Sequence, residues 1–176
     1  MAPKERTEGS EQARERLAGT KTWERAKAIL FYAPLAQEVD LWPLVASALA
    51  GGKAVALPRF CAETREYVPC QIRDPQTEIR QGRFGIREPT EGCPVFPLMG
   101  LDLTLVPGVS FSLSGFRLGR GAGHYDRLLK FIRGVKCGVG FDQQVLHHVP
   151  VEPHDICLDR ILTPTRWIEV QSECRL

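Results

Sequence analysis

The run Ala28-Ile29-Leu30-Phe31-Tyr32 is apolar at every position. A strand with one wet face alternates between apolar and polar residues, so an unbroken run predicts a strand buried on both faces. After Asp40, a good N-cap, Leu41, Leu44, Val45, Ala48 and Leu49 recur at helical spacing, and Gly51-Gly52 stops the helix. A second strand-like run, Lys53-Ala54-Val55-Ala56-Leu57, apolar after its first residue, is closed by Pro58. Strand, amphipathic helix and strand in this order form a βαβ unit, which requires parallel strands joined by a right-handed crossover. The class is α/β, a single-domain sandwich with a mostly parallel central sheet flanked by helices.

Further buried strands are predicted at 101–106 and 136–141 with a helix between them, and short ones at 156–162 and 166–170 complete the sheet. The stretch 59–97 is rich in Pro, Gly and charge, and reads as hairpins and exposed loops, with strands at 66–72 and around 81–87. Residues 1–9 are polar and expected to fray, with Ser10 capping a short helix that Gly19 stops. A chain of 176 residues makes one domain.

The 23 basic and 21 acidic side chains nearly cancel. That balance disfavours a broad phosphate-neutralising surface for nucleic acid but leaves room for a local basic pocket. The cysteines at 61, 70, 93, 137, 157 and 174 contain no C-x-x-C pair, so they read as free thiols of a reducing cytoplasm. His147, His148 and His154 lack helical metal-ligand spacing and read as surface or packing residues. The charged N-terminus lacks a signal-peptide core, and no apolar stretch is long enough to span a bilayer. A cytoplasmic monomer acting on a small molecule is expected, with neither nucleic acid nor membrane as partner.

Chemistry concentrates in Arg117-Leu118-Gly119-Arg120-Gly121-Ala122-Gly123-His124-Tyr125-Asp126-Arg127. Alternating glycines let backbone N–H groups converge on phosphate oxygens, the helix that follows adds its N-terminal dipole, and two arginines supply fixed charge. The same glycines could merely build a tight turn, with Asp126 complementing the dipole. Neither a Rossmann fingerprint nor a P-loop fits the spacing.

This loop, together with Leu101-Asp102-Leu103-Thr104-Leu105-Val106-Pro107-Gly108 and Phe111 before it, resembles the signature of the 5-formyltetrahydrofolate cyclo-ligase family. Further matches are Tyr32 with Glu38-Val39, Gly85-Ile86-Arg87-Glu88-Pro89, and Pro150-Val151-Glu152-Pro153-His154-Asp155 with Asp159. The resemblance runs over roughly residues 20 to 165 in family order and implies a NagB/RpiA/CoA-transferase-like fold. It also implies conversion of 5-formyltetrahydrofolate to 5,10-methenyltetrahydrofolate with ATP and Mg²⁺. By the same resemblance Arg117, Leu118, Gly119, Arg120, Gly121, Ala122, Gly123, His124 and Tyr125 hold ATP. Ala33, Glu38 and the segment Arg120, Gly121, Ala122, Gly123, His124 meet the folate. Asp126 and Asp155 take the metal, and Arg120 and Tyr125 are the catalytic candidates.

Each of these residues has a plainer reading. Glu38 could be a solvated loop acid, Asp155 a turn residue and Tyr125 part of the core, while Arg83 and Phe84 either shape the folate pocket or close an ordinary hairpin. Three features depart from the family. His124-Tyr125 stands where two tyrosines are common, and Ala122 replaces a residue that is often Gly or Lys. Lys4, Arg6, Arg14 and Arg16 do not reproduce the basic pair that family members carry on an N-terminal helix. If that nucleotide clamp is missing, the alternative is a weakened paralogue that binds folate or nucleotide without turnover.

Overall fold

The structure, a computed structural model, describes residues 1–82, 85–121 and 123–171. The βαβ unit is present: β1 (Ala28–Leu30) pairs in parallel with β2 (Ala54–Cys61), and α3 (Trp42–Ala50) connects them. Phe31 and Tyr32 continue beyond β1 fully buried, and the Phe31 N–H still donates to the Ala56 carbonyl. Asp40 does not occupy the cap position of α3, which falls to Leu41, yet its Oδ1 accepts the Trp42 N–H at 3.0 Å. The acid thus serves the first helical donor from one residue further out, and Pro43 has no N–H to satisfy.

β2 does not stop at Pro58. It runs to Cys61 against antiparallel β3 (Glu66–Ile72), with Pro58 opposite Pro69. The Pro69 carbonyl points away from β2 to accept the Phe96 N–H. The two prolines therefore share a non-hydrogen-bonded pair, where neither missing N–H is needed by the ladder.

The remaining strands complete a seven-stranded sheet in the order β12-β11-β9-β6-β1-β2-β3. Its parallel centre adds β6 (Leu103–Pro107), β9 (Val135–Val139) and β11 (Arg160–Leu162), while β12 (Trp167–Glu169) closes the far edge antiparallel. The strand predicted at 156–162 is shortened because the chain before Asp159 packs elsewhere, with the Leu158 N–H bonded to the Gly115 carbonyl. A hairpin of β4 (Ile79–Gln81) and β5 (Arg87–Pro89) stands in place of the strand predicted around 81–87. Between β6 and α4 (His124–Leu129) lies a small sheet of β7 (Ser110–Ser112), β8 (Arg117–Leu118) and, arriving later, β10 (Val145–Leu146).

Alternating residues of the central strands feed two cores. Ile29, Val55, Leu57, Leu103 and Leu105 pack with α1 (Pro3–Ala18) and α3, while Leu30, Ala56 and Val106 pack with Leu128, Leu129 and Phe111. Phe111 fixes the second layer by filling a slot floored with glycine. A Cβ at Gly108, Gly138 or Gly140 would come within 2.8 Å of its ring.

The N-terminus is not frayed. α1 spans Pro3–Ala18, starts on the helix-compatible Pro3 and ends at Gly19, so Ser10 lies within it and caps nothing. α1 buries Gly9, Ser10, Ala13 and Leu17. Gly9 sits so near the Phe141 ring that a Cβ would lie 3.1 Å from it, and Ser10 Oγ accepts the Asp40 N–H. α1 therefore crosses the carboxyl ends of the parallel strands, followed by the short α2 (Lys21–Arg25). Among the described cysteines, Cys61, Cys70, Cys93, Cys137 and Cys157 are free thiols, and Cys174 lies outside the described residues. Burial pushes the Cys70 and Cys137 thiols above their usual range, which keeps them protonated and unreactive.

Candidate active site

The carboxyl ends of parallel strands are where open α/β sheets place ligands. Three stretches of chain meet there. The first, 33–41, leaves β1 and turns back on itself. The Tyr32 hydroxyl donates to the Val39 carbonyl at 2.9 Å, and Glu38 Oε2 accepts the Leu35 N–H at 3.0 Å. Ala33 is buried at its start. The free corner of this turn is Glu38 Oε1, which faces Arg120 Nη2 at 3.6 Å.

The glycine loop is the second stretch. Gly121 and Gly123 adopt φ of 87° and 61°, values that favour glycine. A Cβ on Gly119 would meet Arg117 Nη1 at 2.8 Å. Ala122 lies outside the described residues, as do Arg83 and Phe84. The helix that follows has only six residues, so its dipole contributes little; the loop N–H groups and arginines carry any attraction for an anion. Leu118 serves the fold, its carbonyl accepting the Val109 N–H.

Arg117 and Asp126 form a buried pair at 2.8 Å, and the Arg117 Cζ lies 5.4 Å from the centre of the Tyr125 ring. Tyr125 is half-buried and packs against both cores. Burial, with Glu38 next, pushes its hydroxyl well above the ordinary phenol range, and the Arg117 charge only partly offsets this. Such a hydroxyl stays protonated and can donate a hydrogen bond, but it is not a base.

The third stretch carries Asp155, whose Oδ2 accepts the Glu152 N–H at 2.8 Å as in an ordinary turn. It neighbours Asp126 through Ile156, whose N–H reaches Asp126 Oδ1 at 3.4 Å. No cluster of three or more potential ligands exists among the described residues. The pair nonetheless suits Mg²⁺, which takes one or two protein carboxylates and fills its octahedron with water and phosphate oxygens. His154 stands exposed beside Glu152 at 3.4 Å, and His147 and His148 are also exposed.

Two site neighbours escape a reading of the sequence. Phe60 and Tyr67 face each other across the β2–β3 ladder with ring centres 5.5 Å apart, and the His124 ring meets Tyr67 edge-on at 5.1 Å. Ending β2 at Pro58 hides this pair, which emerges only from the cross-strand register. His124 Nδ1 also lies 2.8 Å from Arg127 Nη2, and Arg127 Nε pairs with Glu66 at 3.3 Å.

An open α/β sheet with a glycine loop, two arginines and two carboxylates at its carboxyl edge is the layout of an enzyme that acts on a small molecule. Residues 1–164 match the 5-formyltetrahydrofolate cyclo-ligase family, and the chain belongs to that family of ligases. It is 31% identical over 170 residues to the 5-formyltetrahydrofolate cyclo-ligase of Escherichia coli K12, covering 94% of this chain and 93% of that protein. The fold is similar to that of Aquifex aeolicus 5,10-methenyltetrahydrofolate synthetase, with a TM-score of 0.87, 34% identity, and coverage of 100% of this chain and 88% of that one. A Mycoplasma pneumoniae 5,10-methenyltetrahydrofolate synthetase shares the fold at a TM-score of 0.74 and 21% identity, over 93% of this chain and 90% of that one.

Proposed function

We propose that the chain converts 5-formyltetrahydrofolate to 5,10-methenyltetrahydrofolate with ATP and Mg²⁺, releasing ADP and phosphate. The observation that carries this reading is the Arg120–Glu38 contact, which sets a phosphate-seeking loop against a buried-edge carboxylate at the same end of the sheet. Glu38 and the backbone around Ala33 take the pterin edge, since a carboxylate accepts hydrogen bonds from an amine and a ring N–H. The glycine loop takes the triphosphate through its backbone N–H groups and Arg120. The formyl oxygen receives the terminal phosphoryl group, N10 attacks the activated carbon, and phosphate leaves.

An amide oxygen is a weak nucleophile, so the protein's share is positioning and charge neutralisation, with no covalent nucleophile of its own. Arg120 exchanges Glu38 for phosphate oxygens as the ligands enter. The protonated Tyr125 hydroxyl serves as a hydrogen-bond donor, while His124, held by Tyr67 and Arg127, walls the pocket. Asp126 and Asp155 would hold Mg²⁺, which would supply neutralisation of the phosphate charge that Arg120 does not reach.

The weakened-paralogue alternative rests on a missing basic pair for the nucleotide; against it, α1 is a full helix that carries basic residues to this end of the sheet. Lys4 and Arg6 lie on its first turns, and Arg14 donates to the Asp40 carbonyl at 2.9 Å beside the Glu38 turn. No helix among the described residues is long and apolar enough to cross a membrane. Incubating the purified protein with 5-formyltetrahydrofolate, ATP and Mg²⁺ and following the methenyl chromophore tests the proposal. Failure of the chromophore to appear while both ligands bind would return the alternative.

A further inference from the structure

The two loop arginines are built differently. The Arg120 side chain is 58% exposed and meets Glu38 at 3.6 Å, so exchanging that carboxylate for a phosphate demands little rearrangement. The Arg117 side chain is 5% exposed. Its Nη2 donates to Asp126 Oδ2 at 2.8 Å, the Tyr125 ring lies beside its Cζ, and Gly119 passes so close to Nη1 that even a methyl group would collide. Nη2 is taken by Asp126, Gly119 covers Nη1 and Nε is buried, so turning this guanidinium toward a nucleotide would part it from its carboxylate, and an unpaired buried charge is among the most costly arrangements a protein can hold.

We propose that Arg117 is a positioning residue that acts through Asp126. It fixes the carboxylate that receives Mg²⁺ and does not itself touch the nucleotide. Asp126 passes the constraint on, because its other oxygen accepts the Ile156 N–H and so holds the segment that carries Asp155. One buried cation thereby sets both metal-side carboxylates before any ligand arrives. The inference rests on the ATP and Mg²⁺ reading above.

A double-mutant cycle read by calorimetric binding of ADP, with Mg²⁺ or with EDTA, tests it. Arg117→Gln is expected to weaken Mg·ADP binding about tenfold, the size of one charge-assisted hydrogen bond. In the Asp126→Asn background the same change is expected to cost less than about twofold, because partners that act as a unit are not additive. In EDTA it is expected to cost nothing. A full loss in the Asp126→Asn background or in EDTA would show that Arg117 touches the nucleotide, and no loss in any arm would show that it positions nothing; either overturns the proposal. Wild-type protein that binds no ADP under either condition overturns the ATP reading itself, a different result. Melting curves verify folding, and Arg117→Lys replaces Arg117→Gln in the cycle if the glutamine variant does not fold.

Discussion

The two ends of the parallel sheet use charge in opposite ways. At the amino end, charged groups serve the backbone. Asp102, just before β6, accepts the N–H groups of Lys27 and Ala28 at the start of β1. Asp159, just before β11, accepts the Lys136 N–H in β9. Lys53 Nζ donates to the carbonyls of Trp23, Glu24 and Ala26, where α2 ends. At the carboxyl end, Glu38 and Asp126 each give one oxygen to a backbone N–H and the other to an arginine. A backbone donor cannot be exchanged without unfolding something, whereas a side-chain partner can be exchanged for a ligand. A partner that is both a side chain and exposed, as Arg120 is for Glu38, marks a charge available for chemistry.

The largest expected effect tests that separation directly. Arg120→Ala should lower turnover about 100-fold, the value of one or two charge-assisted contacts to a transferring phosphoryl group. Its melting temperature should stay near wild type, since an exposed ion pair contributes only about 0–1 kcal/mol. A variant that melts early but turns over normally would break the comparison. Asp102→Ala should do the reverse. Two strand-end donors lose their acceptor, which costs about 1–2 kcal/mol and lowers the melting temperature by roughly 2–4 °C for each kcal/mol. Its KM values for ATP and folate should not change, and a steady-state assay beside a thermal melt measures both.

The βαβ unit, the central strands and the glycine loop are legible in the sequence because each depends on neighbouring residues: an unbroken apolar run, a 3.6-residue stripe, alternating glycines. What could not be read depends on residues distant in sequence. α1 shows no apolar stripe because two of its four buried positions are Gly9 and Ser10, which suit a close approach to Phe141 and Asp40 and carry no hydrophobic signal. Pro58 looks like a strand end until Pro69 is found opposite it. The aromatic surroundings of His124 follow from that same register. Asp102 and Asp159 belong to the family-like motifs, yet structurally they complete strand ends; a motif alone does not distinguish a fold-holding acid from a chemical one.

Gly121→Ala refines the comparison at the carboxyl end. A Cβ there meets nothing within 4 Å, so the substitution changes backbone preference alone. At a φ of 87° an alanine is strained by about 1 kcal/mol, and the loop would relieve this by turning. Nucleotide affinity should therefore fall several-fold with little change in overall stability, as measured by ADP titration beside urea denaturation. Equal losses in both would mean that this loop holds the fold in the manner of the amino end.

Asp142 separates partner type from position. It lies just past β9, at the carboxyl end, yet its Oδ1 accepts from Thr163, Thr165 and Arg166, all within the turn after β11. Its carbonyl also takes Arg166 Nη2 at 2.9 Å. Partial burial raises its carboxyl pKa, but the three donors outweigh that and hold it below the ordinary value of about 3.9. A depressed folded value means that the native state prefers the charged form, so the contribution to stability is complete above the ordinary value and is lost as pH falls through the folded one. The stability gap between wild type and Asp142→Asn should therefore stay constant from neutral pH to about pH 5 and narrow below about pH 4. Urea denaturation at a series of pH values measures this gap. If Asp142 instead belonged to the exchangeable charges around it, the Asp142→Asn variant would raise KM and leave the acid limb of the stability curve unchanged. The pairing with a single turn of the chain predicts the opposite: an acid-sensitive strut with unaltered KM, placed among residues that bind.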